Sequence, residues 1–206
     1  MGKYFGTDGV RGVAGADLTC EMAMLIGRGA AAVLTSSTGH KPRILIGKDT
    51  RQSGDMLEAA LTAGLCSVGA DVESLGVVPT PAVAYLVRKY NADAGVVISA
   101  SHNPMEFNGI KIFAGTGYKL PDDVEEEIEA HIDDKCAGIP LATGDGVGRV
   151  TCRIDGIKDY VEHLYESIGG DLSGLNVCID CANGASAEVA RHCLLYTSDA
   201  ADDRIS

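Results

Sequence analysis

Ala94-Gly95-Val96-Val97-Ile98-Ser99-Ala100-Ser101-His102-Asn103-Pro104 is a short apolar run that ends in two hydroxyls, an imidazole and a proline. A run of this length, flanked by turn formers, marks a strand buried on both faces. Residues 94–99 are therefore expected to form a strand, with Ser101 in the bend that follows. Working outward, residues 43–47 (RILIG) and 72–75 repeat the short apolar pattern, and 110–113 supply a fourth strand. Between them lie helical stretches at 17–34, 53–68 and 80–89. Thr19 is the expected N-cap of the first, and Pro81 stands at the start of the third. Residues 121–134 form an acidic helix with Val124, Ile128 and Ile132 on one stripe, its charges read as a solvated face. Strands alternating with helices predict an α/β fold, a mostly parallel sheet sandwiched by helices.

Residues 137–149 turn to Gly, Pro and Thr, a boundary between units. A second α/β unit then begins, with a helix near 157–168, a strand at 175–179 and a turn at Cys181-Ala182-Asn183-Gly184. One strand and two helices bury too little to stand alone, so this unit is expected to be cut short. The organisation expected is thus 1–150, 151–193 and a tail at 194–206. That tail breaks the rhythm, resembles translated adapter sequence and is expected to be non-native.

The chain has 206 residues, 17 Lys and Arg against 29 Asp and Glu, and a net charge of −12, which argues against nucleic-acid binding. No apolar run can span a bilayer, since Arg28 interrupts the nearest candidate, and the N-terminus lacks a signal-peptide core. Seven scattered cysteines suit a reducing, cytoplasmic setting. Cys178 and Cys181 have C-x-x-C spacing, but without a second pair they read as structural thiols.

Ligands of parallel sheets bind outside the carboxyl ends of the strands, so four segments are expected to meet there. Phe5-Gly6-Thr7-Asp8-Gly9-Val10-Arg11-Gly12 combines flexible backbone with a guanidinium suited to phosphate oxygens. It is not a Walker loop. Gly47-Lys48-Asp49-Thr50-Arg51-Gln52-Ser53 leads from a strand into a helix, with Arg51 a second candidate anion ligand. Ser101 lacks the G-x-S-x-G context of a hydrolase elbow, and His102, adjacent in sequence, is expected to diverge from it. A phosphoryl-carrying serine fits better, because phosphoryl transfer asks chiefly for position and positive charge. Ser99 reads as a plain strand-end hydroxyl. In Asn108-Gly109-Ile110-Lys111, the lysine faces away from Ile110 and Ile112 and is placed for proton transfer.

FGTDGVRG, GKDTR, ISASHNP and NGIK together resemble the α-D-phosphohexomutases, over residues 1 to about 190, and within them the bacterial amino-sugar branch. The resemblance implies that Ser101 is the phosphoserine and that Arg11 steadies its surroundings. His102 and Lys111 would move a proton or hold the transferred group. It also implies Mg²⁺ on the Ser101 phosphate, a phosphosugar substrate and turnover through a 1,6-bisphosphate. The family's aspartate-rich metal loop, sugar-reading loop and C-terminal phosphate-binding domain are not among these residues, so the chain alone is expected to be inactive. Mutases of glucose or mannose phosphates, and a phosphate-binding module without turnover, are the alternatives. Oligomeric state is left open.

Overall fold

A computed structural model describes residues 2–168 and 174–197. Six strands form one sheet, β1 (Val10–Val13), β2 (Arg43–Lys48), β3 (Asp71–Val77), β4 (Ala94–Ile98), β5 (Phe107–Ala114) and β6 (Val150–Cys152). Their order is β1-β5-β4-β2-β3-β6. β2 runs parallel to both β3 and β4, and β6 parallel to β3. β5 is antiparallel to β4 and to β1, so the sheet is mixed. Two strands differ from expectation. β1 lies inside the glycine-rich N-terminal motif, where Gly12 and Arg11 hide the alternation. β6 joins the first sheet through backbone pairing although its side chains are exposed.

Helices cover both faces. α1 (Cys20–Thr38), α2 (Ser53–Ser67) and α4 (Asp122–Asp133) pack on one side, over Ile44, Ile46, Val96, Ile98, Ile110 and Ile112. On the other, α3 (Thr80–Lys89) and α5 (Gly156–Ile168) cover Leu45, Val97 and Phe113, with Tyr160 and Val161 of α5 in the same cluster. This is the alternation of β-strand side chains between two faces. α6 is Ala187–Thr197. α1 outlasts its apolar stripe by one turn, in which Thr35, Ser36 and Thr38 donate their hydroxyls to the carbonyls of Ala31, Ala32 and Leu34, before Gly39 caps it at φ 69°.

Residues 175–179 do not pair as a strand, and Leu175, Val177 and Ile179 are exposed. A strand exists only through hydrogen bonds to a neighbour, and none reaches this stretch among the described residues. Of the expected tail, 198–206 lie outside the described residues.

The acidic helix departs from the solvated face expected of it, because Glu125 and Glu129 are buried with Ile128 and Ile132. Glu129 Oε1 accepts from the amides of Tyr4 and Phe5, both at 2.6 Å, and Oε2 from Lys3 at 2.8 Å. These bonds stitch the N-terminal segment to α4. Burial pushes the Glu129 carboxyl up, but the three amides outweigh it and hold the group below its ordinary value. Its contribution is therefore present above the ordinary carboxylate pKa and lost as pH falls through the depressed folded value. Glu129→Gln places an amide NH₂ where an acceptor is needed. We expect it to lose about 1–3 kcal/mol near neutral pH and to flatten the acid limb of stability, read from urea midpoints against pH.

Candidate active site

The carboxyl ends of β2, β3 and β4 point the same way, and the segments leaving them line a cleft of about 1560 Å³. Asp49, Thr50 and Arg51 come from the first, Pro79 and Thr80 from the second, and Ser99, Ser101, His102 and Asn103 from the third. The residues 182–187 form the opposite wall, and Asn183 accepts a hydrogen bond from the Thr50 hydroxyl.

Ser101 is exposed at the mouth of this cleft and has φ 56°, a left-handed conformation uncommon outside glycine. Such a residue stores about 1–2 kcal/mol of backbone strain. Its hydroxyl lies 3.3 Å from His102 Nδ1. The expected divergence of these neighbours is therefore corrected, because the left-handed turn swings the serine side chain toward the following ring. Ser101→Gly should relax the turn and Ser101→Ala should not. We expect the glycine variant to be the more stable by about 1 kcal/mol, measured by thermal denaturation, which a Ser101 in ordinary extended backbone would reverse.

Arg11 comes from the edge strand β1 and Lys111 from its neighbour β5, where Arg11 stands opposite Gly109 and Lys111 opposite Val97. Arg11 Nη2 is 3.5 Å and Lys111 Nζ 3.9 Å from the two oxygens of Asp8. The Lys111 ammonium also lies 5.8 Å from the Phe113 ring centroid. Gly9, at φ 81°, makes this approach possible, since a Cβ there would stand 2.3 Å from the Ile110 carbonyl oxygen. Gly109, which stands opposite Arg11, accepts from the Ser99 amide, so β5 is tied to the start of the Ser101 loop. The pair flanks the cleft rather than lining it among the described residues.

Arg51 does not offer its guanidinium to the cleft as an anion ligand would. It turns inward, 11% exposed, and bonds carbonyl oxygens of the Ser101 loop. Ser99 is more than a strand-end hydroxyl. It donates to Asp49 Oδ2 at 2.7 Å and accepts from the Ser101 amide at 3.1 Å. Sequence reasoning passed over Asp49, although its place two residues before Arg51 in a strand-to-helix turn was a signal for a side-chain bracket.

The expected Mg²⁺ takes oxygen ligands in near-octahedral geometry. Among the described residues no group of three His, Cys, Asp or Glu could hold a metal ion, and Asp49 already spends both oxygens on Arg51 and Ser99. The described residues do not form a magnesium site by themselves.

Residues 2–137 match the family model described as phosphoglucomutase/phosphomannomutase, alpha/beta/alpha domain I. A phosphoglucosamine mutase of Acetivibrio thermocellus is 62% identical over 190 residues, which is 92% of this chain and 42% of that protein. One from Clostridium acetobutylicum is 57% identical over the same shares. The crystal structure of a phosphoglucomutase/phosphomannomutase family protein from Burkholderia thailandensis superposes with a TM-score of 0.75 at 26% identity, covering 92% of this chain and 41% of that one. The chain thus spans about 42% of the length of these curated relatives. With a domain I match across residues 2–137 and an open serine at the end of a central strand, this chain belongs to the phosphoglucomutase/phosphomannomutase family of phosphohexomutases.

Proposed function

We propose that this chain carries the phosphoryl-acceptor part of a phosphoglucosamine mutase, which interconverts glucosamine 6-phosphate and glucosamine 1-phosphate through the 1,6-bisphosphate. The observation that carries the reading is the Ser101 hydroxyl, exposed at the cleft in a left-handed turn and in contact with His102. The relatives named phosphoglucosamine mutase, at 57–62% identity, support the amino sugar over glucose or mannose.

In this reading Ser101 Oγ attacks a phosphoryl group of the bisphosphate. The O–P bond to the sugar breaks as the bond to serine forms, the hydroxyl proton leaves toward His102 Nδ1, and the freed sugar oxygen takes up a proton, with the Lys111 ammonium as the candidate donor. The Arg11 and Lys111 charges favour the anionic group as it passes, in keeping with the electrostatic demands of phosphoryl transfer. Once the sugar has turned over in the site, its other hydroxyl attacks the phosphoserine, the P–O bond to Ser101 breaks, and the phosphate passes to the opposite end of the sugar. Mg²⁺ would draw its further ligands from outside the described residues. Full turnover is expected to be absent from this chain on its own.

The partner is a phosphosugar. Seven cysteines without a disulfide favour the cytoplasm. No helix among the described residues is long and apolar enough to cross a membrane.

Incubation with glucosamine 1,6-bisphosphate and Mg²⁺ should add about 80 Da, one phosphoryl group, to the intact chain. The choice of sugar is tested on a full-length relative assayed with glucosamine, glucose and mannose phosphates, where preference for glucose or mannose would move the reading away from the amino sugar. An unmodified chain that binds phosphosugars reversibly would favour a binding module.

A further inference from the structure

The Arg51 guanidinium has five N–H donors, and all five are used. Nε donates to Asp49 Oδ2 at 3.1 Å. Nη1 donates to the carbonyls of Pro104 and Phe107, at 2.6 and 3.0 Å. Nη2 donates to those of Ser101 and Asn103, at 3.0 and 2.8 Å. Asp49 locks the fork from behind, with Oδ1 accepting the Arg51 amide at 3.0 Å and Oδ2 taking the Ser99 hydroxyl. Ser99 in turn holds the Ser101 amide. Both backbone polar atoms of Ser101 are therefore held by side chains anchored on one carboxylate.

We propose that Arg51, braced by Asp49, is a positioning residue that holds the loop in the left-handed turn from which Ser101 presents its hydroxyl. This rests on Ser101 being the acceptor, and it assigns Arg51 a role through backbone carbonyls rather than through phosphate. Three arguments carry it. No donor of the guanidinium is left for an anion. Asp49 neutralises its charge at contact distance, so the pair adds little to the field of the cleft. Four convergent carbonyls from one loop keep Ser101 where its φ is unfavourable, which a loose loop would abandon. A lysine in this place has three donors on a single atom and cannot span four carbonyls.

The test compares Arg51→Lys, Arg51→Ala and Ser99→Ala with the unaltered chain. One readout is amide hydrogen exchange at Ser101, Asn103 and Phe107, and the other is phosphoryl uptake from glucosamine 1,6-bisphosphate. Both Arg51 variants should quicken exchange about tenfold or more. Both should lower the maximal uptake rate about a hundredfold with a smaller change in the half-saturating bisphosphate concentration. Arg51→Lys matching the unaltered chain in either readout would overturn the proposal, since charge alone would then suffice. If the unaltered chain takes up no phosphoryl group, the acceptor reading fails, and exchange alone decides the clamp, which stands if both variants quicken it and falls otherwise. Ser99→Ala removes a single bond to the loop and covers the case of an Arg51 variant that does not fold. Faster exchange at Asn103 and Phe107, whose amides Ser99 does not touch, then supports the clamp, and unchanged exchange there overturns it.

Discussion

Ser101→Ala should abolish phosphoryl uptake from glucosamine 1,6-bisphosphate, a fall of about 10³-fold or more, read as the absence of the heavier species in the intact mass. The size of the effect follows from the neighbours. Ser99 is the nearest substitute, but its hydroxyl already donates to Asp49 and accepts from the residue 101 amide. The Thr50 hydroxyl is bonded to the Asn183 carbonyl. Neither is free to inherit the reaction without dismantling the loop. Ser101→Thr keeps a hydroxyl but puts a β-branched residue at positive φ, so uptake should persist at about a tenth of the original rate or less. Uptake by Ser101→Ala equal to the unaltered chain would place the acceptor elsewhere.

The second large effect concerns the scaffold. α1 and α2 cross with their backbones in contact at Gly27 and Gly64. A Cβ at Gly64 would stand 2.3 Å from the Met24 carbonyl oxygen, and one at Gly27 would stand 2.5 Å from that of Leu61. In an open helix, replacing glycine would stabilise by about 0.5–1 kcal/mol. Here the overlap is with main-chain atoms of a neighbouring helix, which cannot rotate away, so sterics decide the sign. Gly64→Val should cost about 3 kcal/mol, which lowers Tm by about 6–12 °C for a domain of this size. Gly138, which has nothing within 4 Å of its missing Cβ, is the control. Gly138→Ala should stay within about 0.5 kcal/mol, and a similar loss at both positions would refute the crossing.

The central layer could be read from residues alone because its signals are local. RILIG at 43–47, the run at 94–98 and the Thr19 cap each carry their own geometry, and all three stand as expected. Residues 10–13 could not be read that way. A strand of four with a glycine and an exposed arginine has no periodicity of its own and exists because Val10 and Val13 pair with Ile110 and Phe107. The antiparallel run of β5 was likewise hidden, since direction depends on where the chain returns and not on composition. Residues 175–179 show the converse, a clear alternation with no neighbour to pair with among the described residues. Glu129 looked like one charge among many until its three amide partners, more than a hundred residues distant, were in place.

The site divides along the same line. The exposure of Ser101 and its place after β4 followed from the apolar run and the bend. The contact with His102 depends on one positive φ, which serine's identity does not announce. Arg51 appeared suited to phosphate because guanidinium groups often are. Only the convergence of carbonyls from residues 101, 103, 104 and 107 shows that its donors are already taken.

That one alcohol in the chain accepts a phosphoryl group at the carboxyl edge of the sheet is tested most directly by fragmentation mass spectrometry after exposure to glucosamine 1,6-bisphosphate. The account predicts a single phosphorylated position, Ser101. Phosphate on Ser99, Thr50 or Ser53, with Ser101 unmodified, would contradict it.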